Sequence, residues 1–447
     1  MSKTLDPDRA SAERRTLWQK GAAPDDWVIR YTVGDDYKWD TELLPFDVRA
    51  TRAHADGLRR IGVLDASEFQ LLADTLDELL RNWEEGKVEV EFRDEDCHTV
   101  VERFLTDRAG SVGGKVHTGR SRNDQVLAAL RLFERDTLRS LASDTVDLAS
   151  SLLDRASEGD RWLMPGHTHT QRAMPSTVGL WAAGYAETLL YDADELIHAA
   201  HRTNRSPLGS GAGYGIPHIA LDREGVAQEL FDGYLIHNST AVQLGRGKVE
   251  MVAVGAAAQL ALTLNRMSAD LTLFASSEFG FIEFPDFVAT GSSIMPHKRN
   301  PDVLEIARAS YHRVAAELNL LMSLTANLTS GYHRDLQLTK GATMRALGLV
   351  GETTRALADF VPYVTFNRER LDAAVSNEML TASNALRDAR GGRPFREAYR
   401  ENEAAAERPS AEEILSTYPT PGSPGRLALA PLSEHVGRIT AELARHR

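Results

Sequence analysis

The sequence predicts an all-α protein built around a bundle of long helices, and three observations lead there. Prolines are absent from residues 46–164, 218–284 and 302–361 of the 447. The same stretches are rich in Ala, Leu, Glu and Arg, residues that lose little side-chain freedom in a helix. Their apolar residues recur at helical spacing, while only Lys87–Phe92 alternates in the manner of a strand.

Each element follows from its own residues. Asp65 and Glu68 form a capping-box pattern ahead of Phe69, Leu72, Leu76, Leu79, Leu80 and Trp83, and Gly86 ends that helix. Residues 124–157 read as one helix, roughly 50 Å long at 1.5 Å per residue. Comparable patterns cover 248–278, 302–329 and 336–360, with Asn300, Pro301 and Asp302 as N-cap, N1 and N2 of the helix they open. Helices of this length bury their apolar stripes against one another, and an antiparallel bundle is the expected solution. Small residues at Val254–Ala258 favour close approach. Gly391, Gly392, Pro394, Pro409, Pro419, Pro421 and Pro424 break the C-terminal part into short helices. The expected division is an N-terminal domain over 1–112, a central helical domain over 113–361 and a small helical domain over 362–447.

Composition excludes several classes. The net charge of −13 argues against nucleic-acid and membrane-surface partners. No apolar run approaches the ~18 residues of a membrane span, and Met1–Asp6 lacks the apolar core of a signal peptide. Cys97 is the only cysteine, so no intrachain disulfide forms, and a cytoplasmic setting is expected. Lysine is scarce, which draws attention to Lys298 and Lys340.

Five segments carry chemistry. Gly291–Asp302 places Ser292 and Ser293 at a glycine hinge, then Lys298 and Arg299 ahead of a helix start, a combination suited to an anion. The plain alternative is a basic loop before a capped helix. Gly114–Val126 offers the Arg120 and Arg122 guanidinium forks, Ser121, and Asn123, which both donates and accepts. It fails as a phosphate loop because Val116 follows the lysine. His167–Pro175 contains a His-x-His pair, open between a structural pair, a metal site lacking evident further ligands, and a proton-transfer histidine. Gly209–Gly215 departs from the dinucleotide fingerprint and reads as a tight turn. Tyr332–Lys340 opens another helix, with Gln337 and Lys340 on one face.

Together these segments resemble the fumarase/aspartase superfamily and, within it, the argininosuccinate lyase branch, from about Tyr31 to about Phe360. The resemblance implies cleavage of argininosuccinate to arginine and fumarate, with neither metal nor organic cofactor. It implies Ser292 as the catalytic base, Lys298 as the cation steadying the dianion, His169 with Thr168 in proton transfer, and Glu305 as the acidic partner from another subunit. Ser121, Arg122, Asn123, Thr168, Arg246, Asn300, Tyr332, Gln337 and Lys340 match substrate-contacting positions. A homotetramer with shared sites is implied too. Two departures stand out. His297 and Arg299 look instead like adenylosuccinate lyase, and Asp36 occupies the place of a substrate-contacting serine. A non-catalytic structural relative, such as a lens crystallin, is the alternative of a different class.

Overall fold

The computed structural model describes residues 25–402, 404 and 407–445; the Met1–Asp6 segment lies outside them. The predicted all-α class holds. The long helices run Arg122–Glu158, Val178–Thr203, Lys248–Phe274, Asp302–Leu324 and Leu338–Phe360. The chain forms two compact units. The first comprises Met1–Glu134, Thr203–Val249 and Met322–Met344, and the second Arg135–Arg202, Glu250–Leu321 and Arg345–Arg447.

In the first unit, Asp36–Arg60, Ala66–Glu84 and Cys97–Ala109 pack around Leu43, Leu44, Leu72, Leu76, Leu79, Val100 and Leu105, all buried. The capping box at Ala66–Glu84 is present, with Asp65 accepting from the Glu68 amide and Glu68 from the Asp65 amide. Pro45 sits inside the Asp36–Arg60 helix and has no N–H for the Thr41 carbonyl. The Trp83 indole N–H takes that carbonyl at 2.9 Å, so the acceptor is satisfied from a neighbouring helix.

In the second unit, hydrogen bonds fasten neighbouring long helices. Trp181 Nε1 and Tyr185 Oη both donate to Asp270 Oδ2, at 3.0 and 2.8 Å. Asn265 donates to the Arg308 carbonyl at 2.6 Å. Ala256, Ala257, Ala258 and Ala261 are buried as expected of close-packed helices. Gly255 is not part of that approach, since a Cβ there would meet nothing within 4 Å. Among the described residues, the C-terminal region forms five short α-helices. The last, Leu429–Ala444, is held to Val178–Thr203 by His435–Asp194 at 2.8 Å and His201–Glu442 at 3.1 Å.

Some sequence expectations need correction. Lys87–Phe92 is no strand: it has no pairing partner among the described residues, and the Val90 amide bonds the Thr41 hydroxyl at 3.3 Å instead. An extended segment without a ladder leaves its backbone groups to side chains and water. The strands lie elsewhere, as the antiparallel hairpin Leu163–Thr168/Gln171–Thr177 and the short pair Ile282–Glu283/Thr365–Phe366. Ser239–Phe274, moreover, is long and apolar enough to cross a membrane by composition. Ala253, Val254, Ala257, Leu260 and Leu264 along it are buried in protein, and it carries the buried Glu250, as a core helix does.

Candidate active site

Two groups of candidate residues lie in the second unit. The Leu163–Thr177 hairpin turns at His169 and Thr170, whose φ angles are 53° and 58°. Two successive left-handed residues make the two-residue turn that matches strand twist, a place usually taken by Asn-Gly. A histidine and a β-branched threonine there hold strained backbone, of the kind that persists at functional positions. The result is that Thr168 and His169 stand exposed at a hairpin tip. His167, one strand residue earlier, packs edge-on to Phe279, and burial with the nearby Arg172 charge pushes its imidazole down.

The second group is the loop 291–299. A bridge between Thr290 and Asn300 closes its neck, with amide-to-carbonyl bonds of 3.3 and 2.9 Å. Asn300 therefore pairs with Thr290 where a helix N-cap was expected, its side chain donating to the Gly291 carbonyl at 3.4 Å, and the helix begins at Asp302. Thr290 Oγ1 bonds the Asp302 carboxylate. Inside the loop, Ser292 Oγ accepts from the amides of Ile294 and Met295, at 3.3 and 3.1 Å. Arg299 is held by Asp286 at 2.7 Å, so it is not a free cation. Lys298 is exposed, with no side-chain partner among the described residues. Glu305 follows on the first turn of Asp302–Leu324, exposed as well. No hydrogen bond among the described residues joins the hairpin tip to this loop.

The remaining candidates lie in the first unit. Ser121 caps the Arg122–Glu158 helix: its Oγ accepts from the Asn123 amide at 3.3 Å, and Asp124 Oδ1 accepts the Ser121 amide at 2.9 Å. Asp124 Oδ2 also takes the amides of Gly209 and Gly211, at 3.1 and 2.9 Å. Gly209, Gly211, Gly213 and Gly215 all have positive φ, so the glycine-rich segment is a tight turn fastened to the helix start. Arg122 is aimed by Asp96 at 2.9 Å and by Thr99 Oγ1 at 2.8 Å, while the Asn123 side chain is left without a partner among the described residues. Arg120, read from sequence as a second fork for substrate carboxylates, is buried against Asp47 at 3.6 Å and Thr51 at 2.9 Å. The Arg246 guanidinium stacks over the Tyr332 ring, 4.9 Å from its centre. Gln337 donates to the Thr32 carbonyl at 2.9 Å, and Lys340 is buried between Asp36 and Asp40, 2.9 Å from each.

Asp96, Thr99, Asp124 and Asp40 were not singled out by sequence. A signal existed for three of them: Ser121-x-x-Asp124 and Asp96-x-x-Thr99 have N-cap spacing, and Asp96 accepts the Thr99 amide at 2.9 Å. Desolvation raises the Asp96 carboxyl, but His98, Arg122 and Thr99 together outweigh it and hold the group below the usual carboxylate range.

Two buried histidines beneath this group behave oppositely. For His98, burial opposes the charge, but Asp47, 2.9 Å from Nδ1, overrides it and raises the imidazole. For His54, burial and the Arg120 charge push the pKa down to about 3, although its ring bonds the Thr118 carbonyl at 3.0 Å. The folded state therefore binds fewer protons at His54 than the unfolded state between about pH 6.5 and 3, so stability falls as pH falls through that window. Replacing His54 with Gln should flatten the acid side of a urea-denaturation pH profile, by at most ~1.4 kcal/mol per pH unit. An unchanged profile would contradict this reading. Asp47, Cys97 and His98 are also the one group among the described residues able to face a common metal ion. Their geometry is that of a hydrogen-bonded ion pair, with Arg120 supplying the nearby cation.

The family model for lyases matches residues 32–316. An argininosuccinate lyase of Sorangium cellulosum is 45% identical over 426 residues, covering 94% of this chain and 98% of the relative. The chain belongs to the argininosuccinate lyase family. The argininosuccinate lyase of Thermotoga neapolitana is 39% identical, over 86% of this chain and 96% of its own length. Solved structures share the family's fold at lower identity. An EDDS lyase in complex with formate has a TM-score of 0.76 at 22% identity, covering 95% of each chain. A class II fumarase from Schistosoma mansoni has a TM-score of 0.70 at 16% identity, covering 83% of this chain and 90% of the fumarase. Against a match of this length, His297 and Arg299 do not favour an adenylosuccinate lyase.

Proposed function

We propose that this chain cleaves argininosuccinate to L-arginine and fumarate. The observation that carries the reading is the end-to-end match to argininosuccinate lyases. Loss of a proton from the carbon next to a carboxylate gives a dianion, so catalysis needs a base and preorganised positive charge. Ser292 is the base. The amides of Ile294 and Met295 that now bond its Oγ are placed to hold an alkoxide, which supports the role. Lys298, with no side-chain partner among the described residues, steadies the dianion. Cleavage of the C–N bond then requires a proton on the leaving guanidino nitrogen, supplied through His169, with Thr168 and the Glu305 carboxylate of another copy completing that step. Ser121, Arg122, Asn123, Arg246, Asn300, Tyr332, Gln337 and Lys340 bind and orient the substrate.

The protein acts as a cytoplasmic homotetramer whose sites draw on more than one subunit. The exposure of Thr168, His169, Lys298 and Glu305 in a single chain, with Ser292 only half-buried, supports shared sites, because dianion stabilisation works best where water is excluded. Residues 1–112, 113–361 and 362–447 serve as its three domains. Fumarate absorbance, followed with argininosuccinate and with adenylosuccinate, tests the activity. Release from argininosuccinate alone is expected, and turnover of adenylosuccinate alone would overturn the reading.

A further inference from the structure

The hairpin that presents Thr168 and His169 has a gap in its hydrogen-bond ladder. Its register sets Pro165 opposite Pro175, and two prolines have no N–H to give each other, so this pair exchanges no ladder bond. One step nearer the tip, the register shifts between Gly166 and His167. A Cβ on Gly166 would stand 2.9 Å from the Met174 carbonyl, so the strands approach too closely there for a side chain. Among the described residues the sheet has only these two strands, so no third strand restores what the prolines remove. A side chain does so instead. Tyr418 Oη donates to the Pro175 carbonyl at 3.0 Å. Burial pushes the Tyr418 hydroxyl above its usual range, which secures the proton it donates.

Tyr418 is itself fixed in place. It follows the helix Ala411–Ser416, and its amide bonds the Leu415 carbonyl at 3.2 Å. Ile414 and Leu415 are buried with Val375, Met379 and Leu380 against Leu163, the first residue of the hairpin. The C-terminal region thus holds the hairpin at two points, its base through apolar packing and its second strand through one hydroxyl. Only two paired positions, His167 with Arg172 and Thr168 with Gln171, lie between the register shift and the turn. We propose that Tyr418 is a positioning residue for the elimination: by holding Pro175 it fixes the direction in which the turn presents His169. The inference rests on the reading that His169 supplies the proton to the leaving nitrogen. The hydroxyl acts through the strand, and its removal leaves every side chain of the turn in place.

The test uses the full-length protein and Tyr418→Phe, which removes the hydroxyl and keeps the ring. Loss of one hydrogen bond should lower kcat for argininosuccinate roughly 2- to 10-fold, with KM nearly unchanged. Exchange of the substrate's β-proton should continue at the parent rate, because Ser292 lies on a different segment. In a His169→Asn background the same change should have no further effect on kcat. An equal loss in that background, or an equal loss of β-proton exchange, would make the hydroxyl a support of the fold at large, and the proposal would fail. It would fail equally if kcat did not change. Hydrogen–deuterium exchange gives a readout that needs no turnover. The amides from His167 to Arg172 should exchange faster in Tyr418→Phe while those of Leu429–Ala444 do not, and unaltered hairpin exchange would overturn the proposal. Thermal midpoints check that the variants fold. Fumarate release by the parent, and its slowing in His169→Asn, are measured first, so failure of the activity reading is distinguishable from failure of the Tyr418 assignment.

Discussion

Ser292→Ala should lose nearly all turnover while keeping substrate affinity. The change deletes the hydroxyl that takes the proton, but it leaves the loop neck at Thr290 and Asn300, the amides of Ile294 and Met295, and Lys298 in place. The anion-binding features therefore survive without the base. Lys298→Ala makes the informative contrast. It leaves the base and removes one electrostatic group, with an expected cost of about 10² to 10³ in kcat. His169→Asn should be milder, because a water can deliver the proton to the leaving nitrogen. Steady-state kinetics and exchange of the substrate's β-proton with solvent separate the three. Were Ser292→Ala to exchange that proton at the parent rate, Ser292 could not be the base, and His169 would take its place.

The parts of this protein that are local in sequence were legible in it. A capping box is four consecutive residues, and the one at Asp65–Glu68 forms as its pattern requires. Four of the five long helices follow from periodicity and end within a few residues of expectation, Arg122–Glu158 having been read as 124–157, whereas Val178–Thr203 was not read from the sequence. The loop 291–302 was recognisable because glycine, serine, lysine and proline fall at informative spacings. The hairpin over Leu163–Thr177 was hidden by Pro165, Gly166 and Pro175, which argue against strands, and by a bulge that breaks the alternation near His167. Its His169–Thr170 turn carries none of the usual turn chemistry. Arg120 looked identical to Arg122 on paper, and only tertiary burial sends one inward to Asp47 and the other to Asp96. The Lys340 contacts join residues 304 and 300 positions apart, a distance over which no local pattern operates.

Lys340→Ala should destabilise the protein by about 3–5 kcal/mol near pH 8, because it strands a buried carboxylate without its cation. Asp40 has no exposure, and burial already pushes its carboxyl up to about 6, with Lys340 opposing that rise. Without the lysine the pKa must rise further. A carboxyl raised in the folded state contributes full stability below its unfolded pKa and loses it as pH rises through the folded value. The deficit of Lys340→Ala relative to the parent should therefore be largest at pH 8 and shrink toward pH 5, where Asp40 protonates. Urea denaturation at several pH values measures it. The double variant Lys340→Met with Asp40→Leu should recover much of the loss, since apolar packing can replace a buried ion pair at little cost. A deficit independent of pH would show that the lysine stem, rather than its charge, supports this part of the fold. In that case the double variant would be no more stable than Lys340→Ala alone.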